Sequence, residues 1–159
     1  MENEILGLAM IFKFDNIVFT FPKGWSTLDQ KTINRLSMNN NGEFAKDYSS
    51  KIVNVFISEM NNTIFFKKIL IKQNIKSVKN IIIKYIKNQT GTENFETRMD
   101  KINNVDFLIL KFERIQMRSV HYYFVHSNHT YVLDLRSLKN IFDIEFVHFE
   151  KIIFGITFN

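Results

Sequence analysis

An α+β fold, an antiparallel β-sheet meander flanked by two or three helices, is what this chain predicts. Three observations carry it. Apolar residues alternate at period two through Ile17, Phe19 and Phe21 and again through Tyr131, Leu133 and Leu135, as in strands with one buried face. Short polar breaks, Asn103-Asn104 and Ser127-Asn128-His129, punctuate the strand-like runs of the second half. Two stretches, Val78–Asn88 and Asn140–Phe154, follow the helical period instead. With 159 residues, 45 % hydrophobic and 17 of them phenylalanine, the chain can bury one aromatic core and not two. A single domain over residues 1–159 is therefore expected.

Taken in order, Phe12-Lys13-Phe14-Asp15 alternates apolar and charged residues, and Asp15-Asn16 is turn chemistry. The first element is thus a short strand or hairpin arm leading into Ile17–Phe21. Pro22, the only proline, ends that strand because it has no N–H to donate and presets a turn. Gly24 relaxes the backbone and Trp25, the only tryptophan, follows at once. Such an aromatic either folds back as a core plug, worth about 3–5 kcal/mol on truncation, or stays exposed to stack on a ligand. The plug is the reading adopted. Ser26 or Thr27 is expected to cap a helix through Leu28–Leu36, with Leu28, Ile33 and Leu36 as its stripe. Asn39-Asn40-Asn41-Gly42 then opens a mobile loop carrying Phe44 and Tyr48.

Lys51–Met60 reads as a strand, Asn61-Asn62 as a turn and Thr63–Lys72 as a second apolar run. Ser77 is expected to start the middle helix, with Val78, Ile82, Tyr85 and Ile86 inward, Lys79, Lys84 and Lys87 outward, and Gly91 after it. Phe95–Ile102, Val105–Arg114, Val120–His126 and Tyr131–Arg136 form the meander. Val132, Asp134 and Arg136 point away from Tyr131, Leu133 and Leu135. The closing helix carries Phe142, Phe146, Phe149 and Ile153 on one stripe, with Gly155 as its C′ residue. Ile156-Thr157-Phe158 returns as an edge strand.

Charge is uneven along the chain. Seven lysines lie between Glu59 and Glu93 with no acid among them, within a net charge of +5. Lys67, Lys68, Lys72, Lys76 and Lys79 read as a basic patch, either a solvated face or a site for an acidic partner. Phosphate tracking by these lysines with stacking on Phe65, Phe66 or Tyr85 is disfavoured, since those aromatics lie in apolar runs and no arginine joins them. Nucleic acid is thus not the expected partner. Without cysteine, neither a disulfide nor a thiolate metal site can form. The acidic start Met1-Glu2-Asn3-Glu4 and the short apolar run Ile5–Phe12 suit neither a secretory signal nor a membrane span, so a cytoplasmic location is expected.

Catalytic groupings are sparse. His126 and His129 flank a turn with His121 on the same arm, but His121 and His126 differ by an odd number and face opposite sides, so no metal is expected. The five glycines are scattered and make no phosphate loop. Ser119 near His121 and Asp134 near His129 lack the geometry of a nucleophile with its base, and Glu145 and Glu150 read as solvated. No enzyme and no cofactor are expected.

The turn Pro22-Gly24-Trp25, the run Phe14–Trp25 before it and the ending Phe146–Phe158 resemble the PsbP-like fold, an αβα sandwich. Within it the chain looks most like small bacterial members such as the Eag-type chaperones of type VI secretion effectors. The lysine-rich Ile64–Lys87 stands out as an insertion-like departure. The resemblance implies a non-enzymatic, dimerising adaptor or chaperone that shields an apolar segment of an effector on its sheet. On that reading Tyr122, Phe124, Tyr131 and Leu133 supply the partner-binding face, the alternative being that they pack beneath helices. The other function weighed is a basic surface for nucleic acid or an acidic protein.

Overall fold

The computed structural model describes residues 10–40, 42–45, 48–60, 62–70, 74–89 and 91–159. Two antiparallel sheets are stacked. The smaller joins the two ends of the described chain: β1 (Met10–Phe14), β2 (Ile17–Phe21) and the C-terminal β11 (Thr157–Phe158), with β2 in the middle. The larger runs in the order β3 (Trp25–Thr27), β5 (Tyr48–Ser58), β6 (Thr63–Ile69), β10 (His129–Leu138), β9 (Met117–His126), β8 (Val105–Arg114), β7 (Glu93–Ile102). A short β4 (Gly42–Ala45) pairs with the start of β5. Helices α1 (Gln30–Asn40), α2 (Ile75–Lys87) and α3 (Phe142–Phe154) complete the described elements. None of the described helices is long and apolar enough to cross a membrane.

The period-two pattern divides the large sheet into two buried faces. Its front face, with Phe56, Phe66, Phe107, Phe124 and Leu133 among others, packs against the small sheet and α3 in one aromatic cluster. Its back face presents Leu108, Leu110, Tyr123 and Val132 to Val78, Ile82 and Ile86 of α2. Ile33 of α1 covers Ile52 and Val55 beside them. Of the meander strands Val105–Arg114 has the expected bounds, whereas β7 and β9 begin two and three residues early and β10 extends two residues at each end, so His129 belongs to the strand and not to the break. Ile156-Thr157-Phe158 does return, pairing Thr157 with Val18 and Phe158 with Ile17.

Local chemistry accounts for the turns. Asp15-Asn16, Asn103-Asn104 and Ser127-Asn128 are two-residue hairpin loops with positive φ at both positions, the sign pattern of type I′ turns that suits the strand twist. Asn, Asp and Ser tolerate that region. In the β8–β9 loop only Ile115 has positive φ (47°), a conformation that a β-branched residue adopts at a cost. Ile115→Gly should therefore raise stability by about 1 kcal/mol, read as a higher denaturation midpoint with an unchanged slope. An unaltered or lowered midpoint would show that the turn is unstrained.

Several sequence expectations are corrected. Trp25 does not plug the core; it opens β3, half-buried at the core margin with its ring 5.8 Å from Phe21. Gly24 precedes it at φ 96°, its carbonyl accepting from the Glu59 amide. Because Ser26 and Thr27 pair with β5, they cannot cap; Asp29 does, accepting from the Thr32 amide at 2.9 Å. Helix α2 starts two residues earlier than Ser77, with the Asn74 side chain accepting from the Ser77 amide. The expected mobile loop holds β4 and the start of β5. The insertion-like Ile64–Lys87 supplies most of β6 and all of α2, both integral to the fold. Glu145, read as solvated, is buried on α3 with its Oε1 unpartnered. Gly155 closes α3 at φ −87°, so its role does not depend on left-handed backbone.

Candidate functional site

Tyr122, Phe124, Tyr131 and Leu133 are all on the front face, as their parity requires, but that face is covered. All four are at most 1 % exposed. Phe124 stacks on Tyr131 at 5.6 Å and Tyr122 meets Phe149 of α3 at 5.4 Å. The Tyr131 hydroxyl donates to Asp15 at the tip of the small sheet. Burial pushes the Tyr122 phenol up to about 12. These residues build the core, so no partner surface is made from them in this conformation.

The basic patch is likewise dispersed. Lys67 and Lys68 are consecutive on β6 and point to opposite faces. Lys68 goes to the front, 3.2 Å from Asp15, while Lys67 goes to the back. Lys76 and Lys79 are on α2, the first exposed and the second half-buried, and Lys72 lies outside the described residues. Of the four described, only Lys67 enters a site.

That site is a cleft of about 210 Å3 on the back face, between the C-terminal turn of α2 and the sheet. Strand register assembles it in two adjacent rows. One row sets Asp134 of β10 opposite His121 of β9, and the next sets Arg136 opposite Ser119. Lys67 of β6 sits opposite Val132, one step the other way. His121 Nε2 lies 3.0 Å from Asp134 Oδ1, Arg136 Nη2 2.8 Å from Oδ2, and Lys67 Nζ 3.7 Å from Oδ2. Burial alone would raise the Asp134 carboxyl; the His121 ring bonded to it and the charges of Arg136 and Lys67 outweigh it and hold it well below the usual carboxylate range. Burial lowers the Lys67 ammonium against the pull of Asp134, whereas Asp134 raises the Arg136 guanidinium.

Neither ring nitrogen of His121 is spare. With Nε2 on Asp134, Nδ1 faces the Tyr123 hydroxyl at 2.9 Å, and burial pushes that phenol well above its ordinary value. Ser119 thus finds no base on His121, and the Asp134–His121 pair is not arranged for nucleophilic catalysis. His126 faces the Asp15 carbonyl and His129 the Ser127 carbonyl, far from each other's partners. Among the described residues no three His, Asp or Glu side chains gather as metal ligands.

A second, apolar cleft of about 390 Å3 opens at the end of the large sheet. Met60, Phe65, Met117, Leu138 and Ile141 line it, with Arg136 between it and the polar cleft. Met117 pairs with Leu138, and the Gln116 carbonyl accepts from the Lys139 amide, so the Ile115 hairpin tip stands at the same end. Met60, Leu138 and Ile115 are 57 %, 47 % and 86 % exposed. Sequence reasoning missed this cleft because its residues come from three separate chain segments.

No family model and no curated protein sequence matches the chain. Among solved structures it is similar to cyanobacterial PsbP (CyanoP) from Synechocystis sp. PCC 6803, at TM-score 0.66 and 11 % identity over 96 % of this chain and 94 % of that one. It is also similar to LpqN of Mycobacterium tuberculosis, a protein involved in cell envelope biogenesis, at TM-score 0.54 and 12 % identity over 89 % of this chain and 82 % of that one. Likeness at these identities is likeness of fold: the chain has the α+β, antiparallel PsbP-like architecture. It does not extend to the narrower Eag-type resemblance.

Proposed function

We propose that this protein is a non-enzymatic binding module that holds an apolar segment of a protein partner at the Met117–Leu138 end of its large sheet. One observation carries the reading: Ile115, a β-branched residue in left-handed backbone, stands 86 % exposed beside the apolar cleft. Folding alone would favour glycine there, and strain kept at an exposed position is accounted for by contact with a partner. Met60 and Met117 give the cleft adaptable walls suited to a peptide segment. Arg136 beside it and Lys139 next to Leu138 favour a segment with an acidic residue among its apolar ones. A chaperone for a secreted effector is a narrower case of this reading, and no residue of the cleft is specific to it.

Photo-crosslinking in the host cells tests it, with benzoylphenylalanine at position 115 and, as control, at exposed Lys101. An adduct with a different protein, mapping to an apolar segment and lost in Leu138→Asp, is the expected result. No adduct above control, or one indifferent to Leu138→Asp, overturns it. An adduct between two copies of the chain replaces it with homodimerisation.

A further inference from the structure

We propose that the polar cleft beneath α2 binds a small organic dicarboxylate, held chiefly by Arg114 and Arg136. The inference shares Arg136 with the apolar end of the sheet but rests on Arg114, which does not line that cleft. Charge comes first: Lys67, Arg114 and Arg136 line the cleft, and Asp134 is the single carboxylate among its lining residues. An occupant with two negative charges brings this wall to neutrality.

Arg114 points to the same ligand. Its guanidinium lies over the Phe112 ring at 4.8 Å, with Nε donating to Thr92 Oγ1 at 3.3 Å and Nη2 to Gln89 Oε1. No carboxylate forms an ion pair with it among the described residues, whereas Arg118 and Arg136 each have one. Two neutral acceptors and an aromatic face thus orient a charged planar fork, the geometry that matches a carboxylate in two parallel hydrogen bonds. The Ser119 hydroxyl faces the same space from β9. Hydrocarbon walls choose between anions. Tyr85, Ile86 and Val132 line the cleft beside the cations, which favours a ligand with a carbon spine over a compact inorganic ion.

Titration of the intact chain with succinate at constant ionic strength, followed by amide NMR, tests this. Saturable shifts confined to the cleft, with Gln89, Ser119 and Tyr123 among them, are expected. Arg114→Gln should weaken binding at least tenfold, and Arg114→Lys, which keeps the charge and loses the fork, should weaken it less. Lys67→Met, on another strand, should weaken it as well, so the test survives if either Arg114 variant fails to fold. No saturable shift, shifts elsewhere, undiminished binding in folded Arg114→Gln and Lys67→Met, or inorganic phosphate binding as tightly as succinate would each overturn the proposal.

Discussion

Replacing Asp134 by asparagine is expected to destabilise the fold by about 3 kcal/mol at neutral pH, and by alanine up to ~5 kcal/mol. Its side chain is 2 % exposed and holds Arg136 and Lys67 by charge and His121 through Nε2. Without the carboxylate, the half-buried Lys67 and the exposed Arg136 face each other uncompensated across a buried, empty acceptor position. Acid titration separates this from a packing defect. The carboxyl titrates lower in the folded chain than in the unfolded one, where it lies near ~3.9. Its contribution is therefore complete above about pH 4 and is lost as pH falls through the folded value. Urea unfolding of the wild type and Asp134→Asn from pH 7 to acid should give curves that converge at the acid end. A constant gap, or a variant within 1 kcal/mol of wild type at pH 7, would mean that the cations simply relax into solvent.

Phe66→Ala carries the second large effect, a loss of about 3–5 kcal/mol. Phe66 is fully buried where the two sheets meet, its ring 4.9 Å from Phe19, 5.4 Å from Tyr131, 5.9 Å from Phe14 and 6.5 Å from Phe12. Removing it leaves a cavity between two rigid layers that cannot close by a side-chain turn. Phe66→Leu, which refills part of the volume, should recover more than half of the loss in the same denaturant measurement. Equal effects from both substitutions would argue that ring contacts and not volume set the cost.

Strand identity was largely legible in the sequence, because alternation at period two is a local property. Val105–Arg114 was bounded correctly and the opposite facing of Tyr131 and Asp134 was read correctly. What covers a face is not local. The front-face layer is the β1–β2 hairpin with the distant β11 and α3, brought onto the meander only in three dimensions, so Tyr122, Phe124, Tyr131 and Leu133 looked available when they are core. The polar cleft was hidden by one residue of register. Reading Ser127-Asn128-His129 as the break sets His121 opposite Leu135; the two-residue turn Ser127-Asn128 sets it opposite Asp134. Serine and asparagine, both tolerant of positive φ, were the available signal. The lysine run misled for a related reason, since neighbours on a strand part to opposite faces, as Lys67 and Lys68 do. Trp25 was expected as a core plug, and the three-residue strand it opens was not foreseen from a turn-like stretch.

Among the described residues the outermost strand β7 pairs only with β8, and it carries Glu93, Glu96, Arg98, Asp100 and Lys101 along its length, with a register shift between Glu93 and Glu96. Its unpaired backbone rim would otherwise be a template for another chain to extend the sheet. Charges of both signs and a kink make that rim a poor one to copy. At high concentration this protein should resist ribbon-like self-association from that side, and a visitor adding itself as a further strand would be turned away there.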